Sequence, residues 1–495
     1  MPTSSDSYRA QAISRAALKF KGAEAEADHE LGWVLSGSDV VVEPALAATR
    51  FYRHGWQSWS IAGWERLDSP PASIAIPGLH RQADDPALGD RSDHVGSWVG
   101  VIEAEDGSAV LLGALGTDAW VSAGDGTLRG VAATEIDWFV AVGSGDEVLN
   151  NYGIALAGAL GTRRSDPGAV WCTWYSQGRD VDSSSISGLI SDVAKLPFDV
   201  FLIDDGWEKA IGNWTPNSGF PLGMGPVADE IASNDMRPGL WLAPLAVEVA
   251  EVESWRGCLV EDDSGQPVPA GRNWGTEYFA VDVSNKEALH RVIDTLESVV
   301  AWGFTYLKLD FLFAGAIPGR RASEEPREQI YRQAFAQIRE SLGDDVHLNA
   351  CGAPVIPSVG VFDSIRVGPD VAPYWESPLY EHVRDYSTPG TRRAIATSLA
   401  RLWLGGAIQV DPDVVFFRTQ QSLLDPAQRQ TLQDLASITG FLATSDPPDW
   451  LDESQTGALR DFLSQTSEIS RLDRYRFRIG EREVDFEPTV NGAFG

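Results

Sequence analysis

The 495-residue sequence predicts an α/β fold: a (β/α)8 TIM barrel preceded by an N-terminal antiparallel β-sandwich domain and followed by a short C-terminal β segment. The chain is longer than one hydrophobic core usually supports, which indicates more than one domain. Its first roughly 160 residues alternate short apolar and polar runs, which is typical of antiparallel strands. From Ala169 onward, apolar strands alternate with helical segments, which is typical of a parallel sheet. We therefore predict domains at 1–162, 168–468 and 469–495.

The N-terminal region carries clear turn signals. The runs SAVLLGAL and EIDWFVAV lie near Asp106-Gly107 and Asp125-Gly126, and such dipeptides favour tight turns between strands. The segment LGTRRSDPG, residues 160–168, collects Gly, Pro, Ser and charged residues. Because this composition continues neither a strand nor a helix, it predicts the linker between the first two domains.

The second domain contains enough strands to close a barrel. In chain order they are AVWCTWY, DVFLIDDGW, RPGLWLAP, TYLKLDF, DVHLNAC, DSIRVGPDV, and two weaker ones near GAIQVDPD and GFLATSD. A (β/α)8 barrel needs eight strands. The alternative is an open doubly wound sheet, but no GxGxxG motif follows the first strand, and such sheets usually have about five or six strands. The barrel is therefore favoured.

One intervening helix can be tested residue by residue. Ser284 and Glu287, three positions apart, predict a capping box at its start, and Gly303 predicts its end. A later helix is predicted at DESQTGALRDFLSQ, after which the chain reads as the start of a small β segment. The apolar residues of the helix predicted between Ser284 and Gly303 share one face at helical spacing. They are Leu289, Val292, Ile293, Leu296, Val299 and Val300.

Composition excludes several classes of function. The formal net charge of −32 and a pI near 4.5 would repel a phosphate backbone, so we expect no nucleic-acid partner. No apolar run approaches the roughly 20 residues of a membrane span. The opening MPTSSDSYRAQAIS lacks the features of a secretory signal, and three cysteines without CxxC spacing argue against a disulfide framework. We therefore expect a cytoplasmic protein.

Candidate functional residues follow the predicted strands. In an α/β barrel the functional side chains lie at the carboxyl ends of the strands, so the polar and aromatic residues that close each strand are the candidates. The sequence supplies Trp174, Tyr175, Asp204, Asp205, Trp241, Lys308, Asp310, Cys351, Arg366 and Asp370.

Two of these aspartates could do acid/base or nucleophilic chemistry. Asp310 follows YLKL, and Lys308, two residues earlier, lies on the same face, so the lysine favours the ionised form that a nucleophile needs. Asp370 ends IRVGPD, four residues after Arg366 and next to Gly-Pro, which predicts a loop position suited to donating a proton. The alternatives are a structural Lys-Asp ion pair for Asp310 and an ordinary turn or N-cap aspartate for Asp370.

Adjacent carboxylates and abundant tryptophans indicate a polar, ring-shaped ligand. Asp204 and Asp205 could grip a metal or hydroxyls, but there is no HExxH motif and no third carboxylate at ligand spacing. We therefore expect no metal and no cofactor. The chain has 18 Trp against 3 Met, and several lie in HGWQSWS or beside strand-end carboxylates. Aromatic faces pack on the C–H side of a pyranose, although a core role is the alternative for any single Trp.

With LKLDF and DSIRVGPDVAPYW, the chain resembles glycoside hydrolase family 36, the melibiase-type α-galactosidases, and more distantly families 27 and 31. The resemblance extends from HGWQSWS to DPDVVFFR. It implies that the aspartate of the KxD motif, Asp310, is the nucleophile, and that the aspartate of the RxGxD motif, Asp370, is the general acid/base. It also implies a retaining mechanism, which needs carboxyls about 5–5.5 Å apart.

The resemblance also implies a set of sugar contacts. Asp204 and Asp205 would bind the 4- and 6-hydroxyls of galactose, and Lys308 and Arg366 would hold further hydroxyls and the nucleophile. Cys351 would lie near the 2-position. The residues implied to line or cap the pocket are Trp59, Trp174, Tyr175 and Trp241.

The resemblance implies exo-acting hydrolysis of terminal α-linked galactose from oligosaccharides. Alternatives at the same site are transfer to a sugar acceptor and an α-N-acetylgalactosaminidase, which would need room beside Cys351 and Gly352. A catalytically inactive carbohydrate-binding protein and a nicotinamide-dependent glycosidase are the alternatives from other classes. Family members usually carry a full C-terminal β domain, whereas about 30 residues follow the last predicted helix here, which leaves a homo-oligomer open.

Overall fold

The computed structural model describes residues 18–72, 84–89, 91–376, 387–491 and 493. The N-terminal stretch MPTSSDSYRAQAIS lies outside the described residues. Within the described part, no helix has both the length and the apolar character required to cross a bilayer.

The N-terminal domain is an antiparallel β structure, as predicted. Its strands are joined by hydrogen bonds in the order β1-β3-β10-β8-β7-β4-β5, with β2 on β3 and with β9 pairing both β10 and β6. The turns predicted at Asp106-Gly107 and Asp125-Gly126 join β7 to β8 and β9 to β10. The strands are β1 Leu18–Lys21, β2 Ala25–His29, β3 Gly32–Pro44, β4 Ala48–Arg53, β5 Gly63–Arg66, β6 His94–Ser97, β7 Val99–Ala104, β8 Ser108–Ala114, β9 Ala119–Gly124 and β10 Thr127–Ser144.

The long strand β10 organises this domain. Its register with β3 shifts between Val131 and Ile136. The half before the shift pairs with β9, and the half after it pairs with β8. The sheet therefore branches at the shift, since an irregularity in a ladder turns the strand towards a second partner.

The connection between the domains is packed against the barrel. A helix, Gly145–Leu160, leaves β10 through a capping box in which Ser144 and Glu147 bond each other's backbone N–H groups. The predicted linker follows it without regular structure. Its Arg163 forms ion pairs with Asp344 and Asp363, so this linker is fixed to the barrel.

Among the described residues, eight parallel strands form the predicted barrel. They pair in parallel from the first to the seventh, the eighth pairs with the first, and Val415 after the seventh bridges Thr444 of the eighth. All eight predicted strands are confirmed. In chain order the barrel strands are Val170–Cys172, Val200–Ile203, Arg237–Leu242, Tyr306–Leu309, His347–Ala350, Ser364–Arg366, Gln409–Asp411 and Ala443–Thr444.

The helices cover the outside of the barrel and connect its strands. The predicted C-terminal helix is present, and Asp452 caps it. After the interdomain helix, the α-helices of the described chain are Trp174–Gln177, Ser183–Val193, Gly225–Ser233, Lys286–Ala301, Arg327–Leu342, Val355–Ser358, Thr391–Ala400, Pro426–Thr439, Glu453–Leu463 and Glu487–Val490.

The helix Lys286–Ala301 has the predicted apolar face but a different N-cap residue. The face predicted from Leu289 to Val300 packs on the core. The predicted Ser284 capping box is wrong, because Asn285 is the N-cap and its side chain accepts bonds from the N–H groups of Glu287 and Ala288. Ser284 instead donates its hydroxyl to Asp282, 2.6 Å away. Ser and Asn both favour caps, so sequence alone does not separate neighbours of these types.

Small antiparallel sheets extend from the barrel. Glu208–Ala210 and Asn213–Pro216 form a hairpin after the second barrel strand. After the third barrel strand come Ala246–Glu248, Pro269–Asn273 and Thr276–Ala280, which form a three-stranded sheet. The predicted C-terminal β segment is also a three-stranded sheet, built from Ile469–Arg471, Arg476–Ile479 and Arg482–Asp485.

Candidate active site

A cavity of about 280 Å³ opens at the carboxyl ends of the barrel strands. Eight of the predicted site residues line it together, although their chain positions span more than 300 residues. They are Trp59, Trp174, Asp204, Asp205, Trp241, Lys308, Asp310 and Asp370. The three other predicted residues, Tyr175, Cys351 and Arg366, do not belong to this lining.

Asp310 directly follows the fourth barrel strand and is held at both oxygens. The indole Nε1 of Trp241 donates to Oδ2 at 3.1 Å, and the backbone N–H of Phe311 donates to Oδ1 at 2.8 Å. Phe311 has a φ of 54°, a left-handed conformation that is uncommon for a bulky residue. The chain therefore turns sharply after Asp310, which stays 7% exposed at the cavity wall.

Asp370 follows the sixth barrel strand and is held by Arg366. The guanidinium Nη1 lies 2.9 Å from Oδ1 of Asp370. Desolvation raises the pKa of the Asp370 carboxyl above its ordinary value, Arg366 opposes this rise, and Asp310 adds to it. The two aspartates therefore differ in their surroundings: neutral N–H groups hold Asp310, and a cation holds Asp370.

Asp204 binds the lysine that sequence reasoning assigned to Asp310. The ammonium of Lys308 lies 2.7 Å from Oδ2 of Asp204, and both side chains are nearly inaccessible to solvent. The Oδ1 atom of Asp204 accepts the backbone N–H of Asp205 at 3.0 Å. The prediction of a Lys308–Asp310 pair needs this correction. Residues two apart on a strand share a face, but Lys308 of the fourth barrel strand reaches Asp204 at the end of the second, with the third strand between them.

Asp205 is held from outside the cavity. Arg179 Nε lies 2.9 Å from Oδ1, and the indole Nε1 of Trp274 donates to Oδ2 at 2.7 Å. Burial, together with the neighbouring carboxylate Glu208, raises the pKa of Asp205 to about 8. Glu208 shares Arg179, whose Nη2 lies 3.0 Å from its Oε1.

Trp59 comes to the barrel from the N-terminal domain. Its segment is attached to the loop after the fifth barrel strand, because Ser58 and Ala353 bond each other twice, each at 3.1 Å. The Trp59 ring packs edge-on against Phe311, with centroids 5.1 Å apart. Its buried indole nitrogen has no hydrogen-bond partner within the described part of the chain. Trp59 lines the cavity, and its role as a cap over the sugar stays a prediction.

Tyr175, Arg366 and Cys351 lie outside the lining; Tyr175 is partly buried and the other two are buried. Tyr175 donates its hydroxyl to Asp413, and Arg366 contacts both Asp370 and Asp413. Cys351 is 1% exposed, and burial raises the pKa of its thiol well above the ordinary value. Direct sugar contacts by these three residues stay predictions.

Comparison with known proteins identifies the relatives of this fold and cavity. The sequence profile of the melibiase family matches residues 163–343. The α-galactosidase TtGalA of Thermus thermophilus, solved in complex with p-nitrophenyl α-D-galactopyranoside, is 41% identical with a TM-score of 0.90. The match covers 95% of this chain and 97% of that one.

The chain belongs to the melibiase family, the GH36-type α-galactosidases. A second structure of TtGalA, in complex with stachyose, is 40% identical over 90% of this chain and 97% of that chain, with a TM-score of 0.86. A probable α-galactosidase C of Aspergillus flavus is 24% identical over 169 residues. That segment is 30% of this chain and 22% of the fungal protein, so the fungal enzyme matches over about a fifth of its own length.

The melibiase cavity also contains residues that sequence reasoning missed. Arg272 and Asn273 lie on the inserted three-stranded sheet, and Phe311 follows Asp310. Asp411 and Asp413 lie behind the cavity, at the end of the seventh barrel strand. The strand-end rule predicts these two aspartates from GAIQVDPD, whereas nothing in the sequence places an insertion at the cavity mouth. The remaining lining residues are Ser387, Thr388 and Pro389.

The adjacent carboxylates Asp204 and Asp205 are bound by side chains of the protein itself. Across the described ranges, no group of three or more His, Cys, Asp or Glu side chains is arranged to hold a metal ion. The side chains of Asp204 and Asp205 are instead occupied by Lys308, Arg179 and Trp274. The cavity therefore presents carboxylates whose remaining lone pairs can accept bonds from hydroxyl groups.

Proposed function

We propose that this protein is a retaining, exo-acting α-galactosidase that releases terminal α-linked galactose from oligosaccharides through a covalent glycosyl-aspartate. One observation carries the proposal: Asp310 and Asp370 line the same cavity in different electrostatic surroundings. Asp370 has a raised pKa, which suits a proton donor. Asp310 is fixed at both oxygens by neutral donors, which suits an oriented nucleophile.

In the first step Asp310 attacks the anomeric carbon of the bound galactoside. A bond forms between an Asp310 oxygen and this carbon while the glycosidic C–O bond breaks. The electron pair of that bond goes to the leaving oxygen, which takes the proton of Asp370. The products are a galactosyl ester on Asp310 and a free alcohol.

In the second step water replaces Asp310. The Asp370 carboxylate takes a proton from water as the water oxygen bonds to the anomeric carbon. The ester bond breaks and its electrons return to Asp310. Two displacements on opposite faces of the sugar leave the product with the anomeric configuration of the substrate.

Galactose recognition is proposed for the acidic side of the cavity. Asp204 and Asp205 are adjacent carboxylates held by cations and an indole N–H, and they would accept bonds from the 4- and 6-hydroxyls. Trp174, Trp241 and Trp59 supply aromatic surface for the apolar side of the ring. Substrates of the stachyose type are proposed because TtGalA has been solved with stachyose.

Galactose is favoured over N-acetylgalactosamine by the space around Gly352. A Cβ atom placed at Gly352 would lie 3.1 Å from two atoms of the Trp59 ring. Gly352 has a φ of 50°, so its backbone conformation also suits glycine. An acetamido group beside Gly352 would compete with Trp59 for this space, which supports a galactosidase.

The test of the nucleophile is Asp310→Ala. Turnover of p-nitrophenyl α-galactoside should fall by at least about 10⁴-fold, because the covalent route is lost. Asp344→Ala is a matched control, since Asp344 is exposed and pairs with Arg163 on the domain linker. Near-normal activity of the Asp310→Ala enzyme would rule out the assignment. Binding of galactose without hydrolysis by the intact protein would favour the inactive binding protein.

A further inference from the structure

We propose that Asp413, a residue outside the cavity, is a positioning residue that holds the general acid/base Asp370 from behind, through Arg366 and through the backbone of Val371. The inference rests on the proposed function, since it takes Asp370 as the proton donor. Asp413 follows the seventh barrel strand, and its side chain is 1% exposed. It does not line the cavity, so it acts on substrate through other residues.

The first link is a shared guanidinium nitrogen. Nη1 of Arg366 lies 2.9 Å from Oδ1 of Asp370 and 2.8 Å from Oδ2 of Asp413. The contact with Asp370 is a charge-assisted hydrogen bond and the contact with Asp413 is an ion pair, so the guanidinium is held between the two carboxylates. Asp413 therefore fixes the orientation of the arginine that in turn orients Asp370.

The second link passes through the backbone. The N–H of Val371, the residue after Asp370, donates to Oδ2 of Asp413 at 3.0 Å. The barrel ladder ends before this point, since the N–H of Val367 bonds the carbonyl of Asp411 and Gly368-Pro369 follow. Proline cannot donate a ladder bond, so the Asp370 peptide depends on contacts such as this one.

Asp413 is itself held rigidly. Tyr175 donates its hydroxyl to Oδ2, and the N–H of Val414 donates to Oδ1 at 2.8 Å. The backbone N–H of Asp413 donates to Asp411 at 2.8 Å. With a φ of 83°, Asp413 adopts a left-handed conformation that non-glycine residues adopt only when their surroundings stabilise it.

Asp413 also moderates the effect of Arg366 on the Asp370 proton. Burial raises the pKa of Asp413 to about 6, against the effect of Arg366, and burial also raises the pKa of Asp370. While Asp413 is ionised, it shares the positive charge of Arg366 and so leaves Asp370 more easily protonated. The other ionisable groups that act on this pair are Cys172, Tyr175, Asp204, Lys308, Asp310, Cys351, Tyr374 and Asp411.

The test is Asp413→Asn, assayed with two substrates. The methoxide leaving group of methyl α-galactoside needs a proton, whereas the fluoride ion of α-galactosyl fluoride leaves without help from a general acid. We expect kcat/KM to fall about 100-fold for the methyl glycoside, because proton transfer contributes about 10²–10⁴-fold, and less than about threefold for the fluoride.

The pH profile gives a second readout. In Asp413→Asn the charge of Arg366 is no longer shared, so the pKa of Asp370 should fall. Asp370 must be protonated to act, and the basic limb of kcat/KM for methyl α-galactoside should move to lower pH by on the order of one unit. A residue that only supports the fold would lower activity without moving this limb.

Two further variants keep the test decisive. Tyr175→Phe removes the hydroxyl that anchors Asp413 and keeps the ring that packs on Phe416. In this variant kcat/KM should again fall more for the methyl glycoside than for the fluoride, but by a smaller factor. Tyr175→Phe decides the outcome if Asp413→Asn does not fold. The matched control is Asp363→Asn, a buried aspartate paired with two arginines at the other end of the sixth barrel strand. Asp363→Asn should lower the melting temperature, and any fall in kcat/KM should be equal for the two substrates.

Asp370→Ala, measured alongside, separates the possible failures. If Asp370→Ala lowers kcat/KM equally for the methyl glycoside and the fluoride, the proposed function is wrong and this inference with it. The second case is that Asp370→Ala lowers kcat/KM mainly for the methyl glycoside. If Asp413→Asn then lowers kcat/KM equally for both substrates, or leaves the basic limb of the pH profile in place, Asp413 is not a positioning residue and the proposed function stands. Selectivity in both variants, with the shifted limb, supports the inference.

Discussion

Lys308 brings a positive charge into the cavity wall, where its ammonium lies 2.7 Å from Asp204. Removing the cation that pairs with a buried carboxylate costs free energy of folding, because little water can solvate the charge that remains. The pKa of Lys308 is raised well above its ordinary value, since the attraction of Asp204 and other neighbours outweighs desolvation. The ion pair therefore favours the charged form of the lysine.

Lys308→Met should consequently disable the sugar site. We expect kcat/KM for p-nitrophenyl α-galactoside to fall at least about 100-fold and the melting temperature to drop, as breaking a buried pair costs about 3–5 kcal/mol. Lys195→Met is the matched control, because Lys195 pairs with Asp192 at the surface and such pairs are worth about 0–1 kcal/mol. Normal kinetics of Lys308→Met would contradict the role of the pair.

At the residue scale, the sequence predicted which side chains meet but not how they pair. The eight predicted lining residues share one cavity because carboxyl ends of barrel strands converge. Pairing across strands depends on side-chain reach, which strand periodicity does not give. Lys308 was therefore assigned to Asp310 instead of Asp204, and the seventh-strand aspartates were not recognised behind Asp370.

At the element scale, the inserted hairpin Pro269–Asn273 and Thr276–Ala280 completes the site. Its turn residue Trp274 donates to Asp205 at 2.7 Å and packs against Phe311, with ring centroids 4.8 Å apart. The insertion therefore connects Asp205, the carboxylate proposed to bind the sugar, to Phe311 beside Asp310. Sequence patterns predicted the barrel strands, whose apolar runs are continuous, but gave no position for this hairpin.

Trp274→Phe should weaken galactose binding with little change in kcat. Loss of this bond leaves a buried carboxyl oxygen of Asp205 without its donor, which costs about 1–3 kcal/mol, so we expect KM and the inhibition constant of free galactose to rise about fivefold or more. Trp255→Phe is the control, because its indole N–H bonds the Gly212 carbonyl away from the cavity. Equal effects of the two variants on KM would contradict a positioning role for Trp274.

At the scale of the whole molecule, a buried glutamate joins the two large domains. Glu328 lies in the first turn of the barrel helix Arg327–Leu342, and its carboxylate accepts the indole N–H groups of Trp56 at 2.7 Å and Trp98 at 2.8 Å. It also accepts the backbone N–H of Asp118. Because Trp56 belongs to the segment that carries Trp59, this interface sets the position of Trp59 in the cavity wall.

Glu328→Gln should destabilise this interface. An amide oxygen replaces only one of the two acceptor oxygens, and its NH2 group faces N–H donors, which costs about 2–4 kcal/mol. Scanning calorimetry should show a lower melting temperature, and KM should rise as Trp59 loosens. Glu340→Gln, an exposed glutamate on the same helix, should change neither. Unchanged melting of Glu328→Gln would contradict this role for the glutamate.

The domain arrangement was predictable only in part. Runs of strands followed by βα alternation predict the order of the domains, because each pattern is local. The contacts of Glu328 join residues 210 to 272 positions apart in sequence, and no local pattern specifies them. The expected cytoplasmic location and the homo-oligomer stay predictions.

Asp310 is proposed to become covalently galactosylated during turnover. The intermediate can be trapped with 5-fluoro-α-galactosyl fluoride, whose ring fluorine slows breakdown of the ester, and the label can be mapped by mass spectrometry of peptides. We expect one 5-fluorogalactosyl label, on Asp310, and none on Asp370. A label on another residue, or continued turnover of the reagent with no labelled intermediate, would contradict this proposal.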